Sequence, residues 1–377
     1  MRNRISLLLL LTGFVFEIFA ASDSGVVHEW GTFTSVAGAD GSALSWRPLY
    51  GPSDLPCFVH RLDQRNLKVA DYGTVRMETP VLYFYPARPM AVSVHVDFPN
   101  GRVTEWYPQA SSVQPSSSRC GWIEWNHVEL RKTEEPLPKL AAASHYYAAR
   151  QTASWSLESD GEKEKLLFYR GIADFGIDLR PVVNAGGVSL RNVGTDSIPT
   201  AILFENHPGK TAFRVTHGLR ERVDIPFSSL NGSLDDLLEQ FEAELIEMGL
   251  YHNEAHAMIE TWRDSWFEEG LRVFYLLPRA KVEAVLPISI KPAAGQLARV
   301  FVGRIELLSP RMRTEIGAAL ANGDARVLKK YGRFLNAFLT EMGRSSGEPP
   351  MSDRARQFLV SSDRQIAAEP RQAPCPQ

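Results

Sequence analysis

The chain has 377 residues, of which 44% are hydrophobic and 23% charged, a globular composition with length enough for two domains of ordinary size. Its formal net charge is −3 and its pI about 6.3, so no global field draws it to nucleic acid or to an anionic membrane surface. A nucleic-acid role would need a basic stripe interleaved with aromatics, and none is found.

The first residues carry Arg2 and Arg4, then a mostly apolar run from Ile5 to Phe16 that Glu17 closes. That run is too short to span a bilayer, and Ala20, Ala21 and Ser22 offer a cleavage site. The pattern predicts a signal peptide over 1–22 and a soluble, exported mature chain, periplasmic or extracellular, with no membrane span. Export permits disulfides, and Cys57 and Cys120 both fall in a strand-rich half where they could pair; the alternative is two separate buried thiols. Cys375 lies in a Pro-rich tail. Three cysteines without a CxxC pair exclude a cysteine zinc site and a thioredoxin-type centre.

Residues 26–228 read as strands and turns. In AVSVHVDFPNGRVTEWY, Val92, Val94, Val96 and Phe98 share one face, and Asn100-Gly101 predicts a tight hairpin turn before Val103, Glu105 and Tyr107 return. SWSLESDGEKEKLLFY repeats the device at Asp160-Gly161. Further strands are expected over 79–85, 122–130, 188–193, 200–206 and 211–217. Many short alternating segments between Gly, Pro, Asn and Asp predict an immunoglobulin-like antiparallel β-sandwich.

The character changes at Asn231, where a mostly helical α+β domain is expected over 231–343. Ser233 can cap a helix whose apolar stripe is Leu234, Leu237, Leu238, Phe241 and Leu245. Asn253 can cap a second, with Ala255, Met258, Ile259, Trp262 and Trp266 as its stripe and Gly270 at its end. Two strands follow, VFYLLP and ARVFVGRIELL. Ser309-Pro310 opens a third helix and Asp324 a fourth with stripe Leu328, Tyr331, Leu335 and Phe338. Residues 344–377 are polar and Pro-rich and read as disordered. Residues 233–270 hold eleven acids against one arginine, and residues 271–345 thirteen Lys or Arg against five acids. Complementary faces of one domain are the plainer reading, and an acidic cation site the sharper one.

The chain has no GxSxG elbow, Walker loop, dinucleotide GxGxxG, EF-hand or HExxH motif, and no cofactor is implied. His252, His256 and Glu260 are weak metal candidates. Their spacing could put three ligand-type groups on one helix face, but Asn253 stands where a zincin needs glutamate and His252 falls before the cap. His28 and Glu29 are neighbours on a strand and point to opposite faces, so His28 can serve a site only with a partner from elsewhere. His145, Tyr146 and Arg150 in SHYYAAR join an acid–base group, a phenol and a guanidinium; the alternative is an aromatic plug with Arg150 ion-paired. In TWRDSWFEEG, Asp264 and Glu268 beside tryptophans suit a glycan, although Trp262 and Trp266 already fall on the apolar stripe, and core packing is the stronger reading.

The blocks HEWGTFTSVAG, METPVLYFY, HYYAAR, LLFYRG, TWRDSWFEEG and RVFVGRIELL, in that order, resemble an uncharacterised family of exported bacterial proteins with an N-terminal HEWGTFTS block. The resemblance runs from His28 to about Phe338. It implies a bacterial envelope or extracellular location and transfers no catalytic residue; it also makes Asn231-Gly232-Ser233 a helix-capping segment and not a glycosylation acceptor. The expected function is a binding or scaffolding protein for an envelope glycan, peptide or protein partner, with a cleft lined by His28, His145, Tyr146, Arg150, Asp264 and Glu268. The alternative is an envelope hydrolase using histidine and carboxylates at that cleft.

Overall fold

The computed structural model describes residues 25–49, 55–62, 72–114, 120–133, 135–140, 144–346 and 353–368. The expected signal peptide and Cys375 lie outside them. In chain order the strands are β1 (Val26–Val36), β2 (His60–Arg61), β3 (Val75–Tyr85), β4 (Met90–Phe98), β5 (Gly101–Tyr107), β6 (Ser112–Gln114), β7 (Gly121–Arg131), β8 (Ser156–Ser159) and β9 (Glu162–Glu164). They continue with β10 (Leu167–Ala173), β11 (Leu179–Asn184), β12 (Gly187–Asn192), β13 (Ile198–His207), β14 (Lys210–Leu219), β15 (Arg222–Pro226), β16 (Gly270–Leu276), β17 (Ile288–Lys291) and β18 (Gln296–Leu307). The helices are α1 (Leu234–Glu247), α2 (His252–Trp266), α3 (Arg279–Val285), α4 (Pro310–Asn322), α5 (Ala325–Lys330), α6 (Leu335–Ser346) and α7 (Asp353–Ala368), and a 3-10 turn covers His145–Arg150. The chain is α+β and rich in strand, as its patterning predicts.

The strands do not respect the expected boundary near residue 230. A nine-stranded sheet runs β14-β13-β16-β18-β1-β3-β10-β5-β2, so β16 and β18 from the C-terminal half lie between β13 and β1 from the N-terminal half. β1 pairs with β18 in parallel, from Val26 opposite Gln296 to Val36 opposite Glu306, and with β3 antiparallel. An immunoglobulin-like, wholly antiparallel sandwich confined to 26–228, with a separate helical domain after it, is therefore not what these strands build. The cause is visible in β1, where every residue from Val27 to Val36 is buried. A strand buried on both faces needs cover from two sides, and a parallel partner can arrive only after a long crossover.

That cover comes from both halves. One face of the large sheet carries Trp30, Tyr83, Phe168, Phe204, Phe274 and Val302 against the buried stripes of α1 and α2. The other carries Phe33, Met77, Leu82, Leu203 and Ile305, packed with a six-stranded sheet (β17-β4-β7-β8-β9, with β6 on β7), a three-stranded sheet (β11-β12-β15) and the C-terminal helices.

The two Gly turns end differently. Asp160 and Gly161 both have positive φ, 51° and 79°, and join β8 to β9 as an antiparallel hairpin. Asn100-Gly101 makes no hairpin: β4 pairs with β7 and β17, whereas β5 pairs with β10 and β2. The turn is a corner between two sheets. Gly101 is required there by close approach, because a Cβ would sit 2.5 Å from the Ile172 carbonyl oxygen.

Ser233, Ser309 and Asp324 cap α1, α4 and α5 as expected. The fourth helix breaks at Gly332–Phe334 into α5 and α6. Residues 353–368, expected as part of a disordered tail, form α7 and bury Ala355 and Leu359. Cys57 is disulfide-bonded, but Cys120 is not its partner: Cys120 is an exposed thiol that donates to the Pro99 carbonyl at 3.3 Å.

Charges also enter the central sheet. Arg272 and Arg304 both donate to Glu306, at 2.8 and 2.6 Å, and Arg333 and Thr34 donate to Glu78. Burial pushes the Glu78 and Glu306 carboxyls up, but the arginine charges and hydrogen bonds outweigh it and hold both below the ordinary carboxylate range. A depressed folded-state pKa adds stability that is present above the unfolded value near 4.5 and is lost as pH falls through the folded value. The thermal midpoint is thus expected to hold from about pH 7 to about pH 5 and fall steeply below about pH 4. A midpoint flat down to about pH 3 would show that these pairs add nothing.

Candidate functional site

The polar group with the most developed surroundings is His28. β1 sets it near the strand start, opposite Tyr83 of β3 and Ala298 of β18, and parity turns it to the helix-covered face. There the first turn of α2 presents Glu254, itself 0% exposed, whose carboxylate lies 2.7 Å from His28 Nδ1. Glu254 also accepts the Tyr85 hydroxyl at 2.7 Å and the Tyr251 backbone N–H at 2.7 Å. The Tyr251 ring stands 4.4 Å from the imidazole and the Tyr85 ring 5.7 Å. Burial first, and then the Glu254 charge, raise the Tyr83 and Tyr85 phenols far above their ordinary value, so both stay protonated donors.

The arrangement has a definite chemical sense. An Nδ1–H donated to Glu254 leaves the lone pair on Nε2, the tautomer in which a carboxylate orients an imidazole as an acceptor. His28 Nε2 is buried and has no hydrogen-bond partner among the described residues.

Of the other residues expected to line a common cleft, Tyr146 and Arg150 converge on Glu164 and His145 meets Asp264, whereas Glu268 is engaged by Arg304. Arg150 is clamped on Glu164 of β9, with Nε at 2.9 Å and Nη2 at 2.6 Å, and donates Nη1 to the Pro138 carbonyl at 2.6 Å. Tyr146 donates to the same carboxylate at 3.0 Å, and the rings of Phe58, Tyr146 and Tyr147 surround the guanidinium. That is the aromatic plug with an ion-paired arginine. His145 meets Asp264 at 3.8 Å, with both side chains largely in solvent. Glu268 turns to Arg304 at 2.8 Å, and Glu269 to Lys330, so acidic and basic segments do complement each other here. Trp262 and Trp266 are buried in the core.

α2 begins at His252, one position before the expected Asn253 cap. His252 and His256 approach Glu242 of α1, at 3.0 and 3.7 Å, whereas Glu260 is taken by Arg263 at 2.9 Å. The expected trio therefore splits, and among the described residues no group of three or more His, Cys, Asp or Glu is arranged to hold a metal ion. Sequence reasoning missed Glu254, Tyr85, Glu164 and Glu242. Of these only Glu254 left a local signal, as the third residue of a helix, where a carboxylate caps a backbone N–H.

No family model matches the chain, and no curated protein matches it. Among solved structures, the yeast delta-COP-I mu-homology domain is similar at 8% identity, over 75% of this chain and 95% of that one, with a TM-score of 0.28. The same domain complexed with the Dsl1 WxWxV peptide gives 8% identity, the same coverage and a TM-score of 0.26. Likeness at that level carries no argument about fold or function. No helix among the described residues is long and apolar enough to cross a membrane.

Proposed function

We propose that this is an exported bacterial envelope protein that binds a glycan, peptide or protein partner without turning it over. Export is the reading of the Arg-flanked apolar start, and a bacterial envelope the reading of the HEWGTFTS resemblance. Binding is favoured over catalysis by how the candidate acid–base groups are spent. Glu164 neutralises Arg150 and Arg304 neutralises Glu268, while His145 and Asp264 meet at 3.8 Å on the surface. A reacting centre needs such groups converging within hydrogen-bond reach of one substrate atom.

A second reading, hydrolysis with His28 as general base, is favoured by one observation: the Glu254-oriented imidazole keeps an unused Nε2. Incubating the purified mature chain with soluble peptidoglycan fragments separates the two, since these carry both glycan and peptide. Saturable retention with the fragments recovered intact is expected. Cleaved fragments from the wild type but not from His28→Ala would establish the hydrolase, and no retention at all would remove envelope polymer as the ligand.

A further inference from the structure

We propose that Tyr251 gates a small ligand site in which His28 Nε2 is the acceptor, and that the site takes a neutral ligand bearing a hydroxyl or amide donor. The inference rests on the binding reading above and gives it a place. Three observations meet at one point of the fold.

The first is the orphaned nitrogen. His28 is 1% exposed and fixed by Glu254 at 2.7 Å, yet Nε2 has no partner among the described residues. A buried polar atom left unbonded is costly, and such atoms in native proteins call for a reason. The second is the cover. The Tyr251 ring, 46% exposed, lies 4.4 Å from the imidazole and 5.0 Å from the Tyr85 ring. Its backbone N–H is fixed to Glu254, so opening would need only the ring to move and not the chain beneath it. The third is charge. Glu254 accepts from His28, Tyr85 and Tyr251 and holds a carboxylate next to the imidazole. A second anion would be repelled there, whereas a neutral donor finds a lone pair between two phenol rings.

Diethyl pyrocarbonate reports on such an acceptor. The Nε2 lone pair attacks a carbonyl carbon, ethyl carbonate leaves and decomposes to carbon dioxide and ethanol, and the Nδ1 proton passes to the leaving group. Modification of His28 is followed by peptide mass spectrometry on the full mature chain. The wild type is expected to react at His28 at a rate insensitive to urea below the unfolding transition, which marks local opening rather than global unfolding. Tyr251→Ala is expected to react about tenfold faster, and Tyr251→Phe, which keeps the ring, at the wild-type rate. N-Acetylglucosamine at high concentration is expected to slow the reaction and acetate to leave it unchanged. Reaction only through global unfolding in both wild type and Tyr251→Ala would make His28 a sealed core residue and overturn the site. Protection by acetate, or none by the sugar, would overturn the assigned ligand class. Failure of peptidoglycan binding with His28 still reactive would sink the envelope ligand and leave the gate standing.

Discussion

Replacing Arg299 with methionine is expected to lower the free energy of unfolding by about 3–5 kcal/mol, read from urea melts. Arg299 of β18 lies directly across from Glu29 of β1 and donates to its carboxylate, with side chains 1% and 0% exposed. Tyr169 donates to the same group, and a second Arg299 nitrogen donates to the Leu286 carbonyl at 2.7 Å. Burial disfavours the guanidinium charge, but Glu29 outweighs it, so Arg299 stays charged. Removing the arginine strands a carboxylate between two covered sheet faces with one phenol for company. The double variant Glu29→Leu/Arg299→Met is expected to regain most of the loss, because a buried pair replaced by apolar groups of similar volume is often close to neutral. Equal losses in single and double variants would show that packing around β18, and not the stranded charge, sets the effect.

Trp266→Ala is expected to cost about 3–5 kcal/mol, measured the same way. The indole is 0% exposed and lies 5.2 Å from Phe241, 5.3 Å from Phe274 and 6.4 Å from Trp262, centroid to centroid. α1, α2 and β16 therefore meet on this one ring. A cavity of that size between a sheet and two helices cannot close without moving one of them. The variant also decides how TWRDSWFEEG is read. A sugar platform would lose binding at unchanged stability, and a core residue loses stability first.

What was legible in the sequence was local. Asp160-Gly161 demanded two positive φ values and obtained its hairpin. Ser233, Ser309 and Asp324 announced helix starts through side-chain oxygens that bond the next backbone N–H groups. All five residues of the expected α2 stripe are buried, although Glu254, Ala257 and Thr261 join them unannounced. Asn100-Gly101 misled because the same dipeptide serves a corner, and nothing nearby says that β5 will pair with β10 rather than β4. α7 was missed because its sequence is too polar to advertise a buried side. The site failed to show for the same reason as the sheet. Strand parity placed His28 and Glu29 on opposite faces, but their partners, Glu254 and Arg299, stand 226 and 270 residues away. Pairings at that separation leave no periodicity to read.

The parallel seam between β1 and β18 carries a consequence for how the chain is made. The large sheet has its first strand at its middle, and one of the two neighbours of that strand emerges last among the sheet's members. Until β18 is synthesised, β1 has an open edge and Glu29 has no guanidinium, so a nascent chain holds its buried first strand unclosed for most of its translation. Contacts this distant make for slow closure once the chain is complete. A chain of this topology closes its large sheet late, and any fragment ending near residue 228 is prone to join its exposed edge to that of a neighbour.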